Sequence, residues 1–200
     1  MTKILAIGDI HGDTGLSKKI SKQALSEKVD LIILAGDLTL AEMSTKGLIK
    51  PFIENHQKVL IIPGNHESIA TTDFLEEMYS NTKNIHGYSI IKDKVGIFGC
   101  GGADFGSTKL SEKEFFETLK KAHEGVKDQK KTIMVTHMHP AGSKSEFTGF
   151  EGSSGIRKAI KEFSPDIAIC AHIHEAGGLI EKIGKTKVIH VARTPTIFEI

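Results

Sequence analysis

Short apolar runs that each end in glycine or a polar side chain constrain this chain more than any other feature. Ile4–Ile7, Asp30–Ala35, Val59–Ile62, Thr132–Thr136 and Ile167–Cys170 are too short for core helices and bear the mark of strands buried on both faces. Between the early runs lie stretches with helical spacing. Leu16, Ile20 and Ala24 form one apolar stripe, and Met43, Leu48, Phe52 and Ile53 form a second. Further helices are expected near Asp73–Met78, from the capping box Ser111/Glu114 through Ala122, and over Ile156–Phe163. Strands alternating with helices predict right-handed βαβ units and a parallel sheet for the first half. From Ile85 to Cys100 the pattern changes to β-branched and aromatic residues broken by His86-Gly87 and Lys92-Asp93-Lys94, which predicts antiparallel strands. Three further strands are expected in Gly177–Ile183, Lys187–Ala192 and Thr196–Ile200. Gly99–Gly106 reads as a turn near the site, and Ala141–Gly155 as a long loop of a length that is usually functional or disordered.

The chain has 200 residues, no repeats and no linker-like segment, so one domain spanning 1–200 is expected. A net charge of +1 offers no strong field for nucleic acid or an anionic membrane. The two cysteines, Cys100 and Cys170, sit in apolar runs and read as small core residues; no disulfide framework follows from them. With no signal-peptide pattern and no apolar run near the ~20 residues of a membrane span, a cytoplasmic location is expected.

The residues that close the apolar runs are the chemically informative ones. The ends carry Asp9 and His11, Asp37, Asn65 and His66, His137 and His139, and His172 and His174. One aspartate after a glycine is an ordinary cap, and one histidine is an ordinary surface or core residue. Five strand ends bearing the same residue types point to a metal site at the carboxyl edge of a sheet, where ligands of open α/β sheets gather. Oxygen and imidazole donors without thiolate suit Mn, Fe, Zn, Co or Ni. Seven ligands exceed one tetrahedral shell and suit two ions about 3.5–4 Å apart with a bridging carboxylate. Within Pro63-Gly64-Asn65-His66-Glu67-Ser68, proline and glycine break the strand and present Asn65 and His66, while Glu67 is expected only to favour the next helix's N-terminus.

The ordered set Asp9-x-His11, Gly36-Asp37, Gly64-Asn65-His66-Glu67, His137 and His172-x-His174 resembles the calcineurin-like metallophosphoesterases, in a small, compact prokaryotic-type branch. The resemblance spans nearly the whole chain, with its five blocks in the family's order. It implies an α/β fold of two packed mixed β-sheets flanked by helices. It also implies that Asp9, His11 and His174 hold one metal, that Asp37 bridges, and that Asn65, His137 and His172 hold the other. His66 matches the histidine that contacts phosphate and assists the leaving group. Two departures stand out: Ala171 occupies the place of the usual glycine before the last His-x-His, and His139 adds an imidazole that could exchange roles with His137.

The expected activity is hydrolysis of a small phosphoester, a diester before a monoester, by a water activated between two divalent cations, with His66 protonating the leaving oxygen. A non-catalytic metal-binding scaffold of the same fold is the alternative from another class, and a nuclease is disfavoured by charge and size. Arg157 and Arg193, the only arginines, are candidate phosphate clamps; His56, His86, His123 and His190 lack motif context.

Overall fold

A computed structural model describes all residues, 1–200. The first sheet contains β1 (Lys3–Ile7), β2 (Leu31–Ala35), β3 (Val59–Ile62), β4 (Thr82–Asn84) and β11 (Thr196–Glu199). Its order is β11-β1-β2-β3-β4, parallel except for the β11 edge. The second sheet contains β5 (Ser89–Lys92), β6 (Val95–Cys100), β7 (Lys131–Thr136), β8 (Ile167–Cys170), β9 (Ile180–Ile183) and β10 (Thr186–His190), in the order β5-β6-β7-β8-β10-β9. Helices α1 (Thr14–Ser26), α2 (Lys50–Glu54) and α3 (Ile69–Met78) belong with the first sheet, and α4 (Glu112–Glu124) and α5 (Ser154–Phe163) with the second.

Strand periodicity explains the layering. Alternate residues of a strand face opposite sides. Thus Ile4, Ala6, Ile33, Ala35, Leu60 and Ile62 join Ile97, Ile133, Val135, Ile169 and Ile189 in a core between the sheets. Leu5, Ile7, Ile32, Leu34 and Ile61 face the other way, onto Ile20, Ala24, Phe52 and Leu75 of the helices. Phe98, Met134, Ala168 and Val188 meet Phe115, Leu119, Ile156 and Ile160 on the far side. Every central strand is covered on both faces, which is why its sequence is unbroken apolar. The result is the expected pair of packed mixed sheets flanked by helices. Cys100 and Cys170 are free and buried, as read. No helix is long and apolar enough to cross a membrane.

Four local readings need correction. The second sheet is not antiparallel throughout: β6, β7, β8 and β10 run parallel, and only its edge strands β5 and β9 pair antiparallel. The helix expected from Met43 to Ile53 shrinks to five residues, Lys50–Glu54. Positive φ at Ala41, Glu42 and Gly47 breaks the earlier part, and Pro51 suits only a first helical turn. The three-residue β4, interrupted by exposed Lys83, has no periodicity to betray it. Residues 141–155 are partly ordered by a 3₁₀ turn at Lys144–Thr148, and α5 starts at Ser154 behind the capping hydroxyl of Ser153. The capping box at Ser111 and Glu114 is present.

Candidate metal centre

The carboxyl ends of both sheets meet at one edge. Gly8 N–H donates to the Val191 carbonyl at 3.0 Å, and Arg193 N–H to the Gly8 carbonyl at 3.0 Å, so β1 of one sheet is stitched to the segment after β10 of the other. The Gly102 N–H reaches the Pro63 carbonyl at 2.9 Å in the same way. This convergence explains Ala171. A Cβ on Gly8 would lie 2.4 Å from the Ala171 methyl, so the extra methyl fits because its neighbour has none.

All seven expected ligands come together. Three groups have donor atoms within 4.8 Å of one another: Asp9, His11 and His174; His11, Asp37 and His66; and Asp37, His137 and His172. Asn65 adjoins the last through its Oδ1, 3.0 Å from His137 Nε2. Asp37 is the pivot. Its Oδ2 lies 3.4 Å from His137 Nε2, 3.7 Å from His11 Nε2 and 4.0 Å from His66 Nε2, while its Oδ1 accepts the His66 backbone N–H at 2.9 Å. Asp9, His11, Asp37 and His172 all take positive φ (58°, 47°, 52° and 69°), a conformation uncommon for residues with a Cβ. These sharp turns follow β1, β2 and β8, and strain of this kind concentrates at functional sites.

The donor set fits divalent transition metals. Asp9 Oδ1 and His11 Nδ1 are buried without a hydrogen-bond partner, which is costly for polar atoms lacking a ligand. His137 Nδ1 donates to the Ala35 carbonyl at 2.9 Å, which leaves Nε2 to face Asp37 and Asn65. For His172, burial and the adjacent His137 outweigh the two aspartates and hold its pKa down to about 4, so its ring is neutral and free to ligate near pH 7. Burial raises the Asp37 pKa, but His137 and the His66 amide together pull it well below the usual carboxylate range.

His137 behaves oppositely to His172. Burial disfavours its imidazolium, yet Asp37, Asp9 and the Ala35 carbonyl more than offset this and lift its pKa to about 9. In metal-free protein this ion pair stabilises the fold fully below the ordinary imidazole pKa, and the contribution is lost as pH rises through about 9. A metal held by His137 would have to displace that proton. Apparent Mn or Zn affinity should therefore climb roughly tenfold per pH unit from about pH 7 and level off near 9. Dissociation constants at three pH values across that window check this; a flat profile contradicts it.

The turn carrying Asn65 and His66 is built on Glu67, a residue read from sequence as a mere helix-start favourer. Glu67 is instead fully buried. Its Oε1 accepts Gly64 N–H at 2.9 Å and Leu38 N–H at 3.1 Å, and its Oε2 accepts the Thr39 N–H and hydroxyl, each at 3.2 Å. One carboxylate thus clamps the Asp37 turn to the Asn65–His66 turn. Gly64 permits the approach: a Cβ there would lie 2.0 Å from Asp37 Oδ1. His66 Nδ1 accepts the Ala41 backbone N–H at 3.2 Å, so in the neutral ring the proton sits on Nε2, facing Asp37.

Other candidates fall outside the cluster. His139 is buried, with Nε2 3.3 Å from the Phe150 carbonyl, and belongs to none of the ligand groups. Arg157 bonds the Ala141 carbonyl at 3.2 Å and orders a loop. Arg193 Nη1 donates to the Asp9 carbonyl at 3.3 Å, beside the cluster. His190 is buried between Cys170 and Glu181, and His86 accepts the Gly101 N–H.

Known proteins resemble this chain in sequence and in fold. The chain is 28% identical to an uncharacterized protein of Methanocaldococcus jannaschii, over 94% of this chain and 87% of that one. Among solved structures, one from Thermus thermophilus superposes with a TM-score of 0.78 at 21% identity, covering 96% of this chain and 89% of the other. A novel archaeal phosphodiesterase gives 0.56 at 17% identity (96% and 84% covered), and a dimetal phosphatase from Danio rerio 0.64 at 11% (94% and 86%). At these identities the structural matches establish the fold. The family model for calcineurin-like phosphoesterases matches residues 2–176, from the first strand through the last histidine pair, and the chain belongs to that family.

Proposed function

We propose that this protein hydrolyses small phosphodiesters at a centre for two divalent transition-metal ions. The observation that carries the reading is the sharing of Asp37 between ligand groups: the group with His137 and His172 and the group with His11 and His66 meet at its carboxylate. Asp9, His11 and His174 would hold one ion, Asn65, His137 and His172 the other, and Asp37 both. Such ions, when bound, lower the pKa of water and offset charge on phosphoryl oxygens. Mn, Fe, Ni, Co and Zn all suit these donors.

The chain's own contribution to the reaction is orientation and a proton. The Ala41 amide fixes the His66 tautomer with Nε2–H toward the cluster, and the ring is 31% exposed, open to a substrate's leaving oxygen. His66 stands edge-to-face against His11 at 4.7 Å between centroids, which limits its swing. A proton delivered from Nε2 neutralises the departing alkoxide and returns from solvent. An alkoxide needs this proton far more than a nitrophenolate. His66→Ala should therefore lower turnover of alkyl diesters about 10²–10⁴-fold and of p-nitrophenyl esters much less, with metal content unchanged. Equal losses on both substrates would remove the proton-donor role.

A diester preference is supported by the shared fold with an archaeal phosphodiesterase and by the placement of His66. The test is a panel of Mn, Ni, Zn and Mg on metal-stripped protein, with bis-p-nitrophenyl phosphate against p-nitrophenyl phosphate. Faster diester hydrolysis under a transition metal is expected. No hydrolysis under any metal would favour a non-catalytic scaffold of the same fold.

A further inference from the structure

Five of the ten phenylalanines are buried, Phe52, Phe98 and Phe115 completely, while Phe74, Phe105, Phe147 and Phe150 are exposed. Phe105 and Phe150 stand apart by their position. They are 51% and 63% exposed, and together with His172, Ile173, His174 and Glu175 they line a cavity of about 210 Å³ beside the metal centre. The Phe105 ring lies 5.6 Å from that of His172, centroid to centroid. Large apolar groups kept in water at the mouth of a polar centre call for a ligand with an apolar face.

Both rings are held out by braced backbone. In the Phe105 loop, the Ser107 N–H donates to the Asn65 carbonyl at 2.8 Å and the Ala103 N–H to the Thr108 carbonyl at 3.1 Å. Gly106, at φ 91°, lets this loop lie against Asn65, since a Cβ there would be 2.3 Å from the Asn65 carbonyl oxygen. In the Phe150 loop, Glu146 accepts the N–H groups of Gly142 and Gly152 at 2.8 and 2.9 Å, and His139 contacts the Phe150 carbonyl at 3.3 Å. The cavity is smaller than the ~300–1,000 Å³ of drug-sized ligand pockets, which suits one planar group and no polymer.

We infer that Phe105 and Phe150 form a ring-binding subsite, and that the substrate is a small phosphodiester bearing one planar aromatic group, an aryl ester or a nucleobase, beside the scissile phosphorus. The inference rests on the phosphoester reading of the adjoining cluster and adds a substrate class to it. Stacking on aromatic side chains is tolerant of ring identity, so the two sources share one recognition chemistry.

Binding separates this subsite from turnover. Calorimetry on Mn-loaded protein would compare methylphosphonate with phenylphosphonate and adenosine 5′-methylphosphonate. At least one ring-bearing ligand should bind about tenfold more tightly than methylphosphonate, and whichever gains more identifies aryl or nucleobase as the better fit. In a Phe105→Ala/Phe150→Ala double variant the ratio should fall to near one, while Phe74→Ala, an exposed phenylalanine on α3, should keep it. Equal affinities in the unaltered protein, or a ratio that survives the double substitution, would overturn the subsite and leave the phosphoesterase reading intact. If no phosphonate binds and no diester is hydrolysed, the phosphoester reading falls and the subsite with it.

Discussion

Asp37→Asn should leave the protein folded and nearly inactive, with kcat/KM on a diester reduced by about 10³-fold or more. The amide keeps the side chain's size, and its carbonyl oxygen can still accept the His66 backbone N–H that Asp37 now holds at 2.9 Å. What it lacks is charge at the point where three imidazoles converge, His137 at 3.4 Å, His11 at 3.7 Å and His66 at 4.0 Å from Oδ2. Both proposed ions would be held by the Asp37 carboxylate, so metal content should drop from two equivalents to one or none. His137 would change as well. Burial already opposes its imidazolium, and Asp37 is the main group that overcomes this, so the variant should lose the rise in metal affinity toward pH 9. Elemental analysis after dialysis, together with turnover, checks the result. Two retained equivalents with near-normal turnover would contradict it.

Glu67→Ala acts on stability first. It strips acceptors from three buried backbone N–H groups, those of Gly64, Leu38 and Thr39, and from the Thr39 hydroxyl. Each unsatisfied buried donor costs about 1–3 kcal/mol, so a loss of about 3–5 kcal/mol is expected after partial relaxation. For a chain of this size that is a fall of roughly 10 °C in the unfolding midpoint. It is a large part of the ~5–15 kcal/mol that typically holds a domain together. Glu67→Gln should cost about half as much, because one oxygen remains while the amide NH₂ opposes at least one donor. Metal retention should fall in both variants, since the clamp sets the Asp37 turn against Asn65 and His66. Calorimetric unfolding measures this, and a midpoint within about 2 °C for the alanine variant would show that the clamp is dispensable.

These two residues mark how far the sequence is legible. Asp37 stands out because it follows a continuous apolar strand and shares its residue type with other strand ends. The same logic reaches Asp9, His11, Asn65, His137, His172 and His174, whereas the two-sheet sandwich is implied by the family resemblance and local pattern alone predicts only a parallel sheet followed by antiparallel strands. Glu67 is opaque by comparison. Two of its partners, Leu38 and Thr39, lie 29 and 28 residues away, and only tertiary approach of the two turns creates its role. The parallel centre of the second sheet is hidden for the same reason, since β10 adds beside β8 by long-range pairing that local pattern does not encode. Phe105 and Phe150 could have been noticed as aromatic residues in glycine-rich, aperiodic segments, but their exposure beside the metal cluster is a property of loop bracing. His139 shows the converse: its sequence position two residues after His137 suggests a rival ligand, whereas its ring turns to the Phe150 carbonyl.

Five strand ends are proposed to assemble one site for two ions sharing Asp37. Titrating metal-stripped protein with Mn(II) and following the electron paramagnetic resonance spectrum tests it most directly. Binding should saturate at two equivalents per chain with an exchange-coupled signal from ions about 3.5–4 Å apart, lost in Asp37→Asn. Saturation at one equivalent, or two with only the six-line signal of isolated Mn(II), would contradict it.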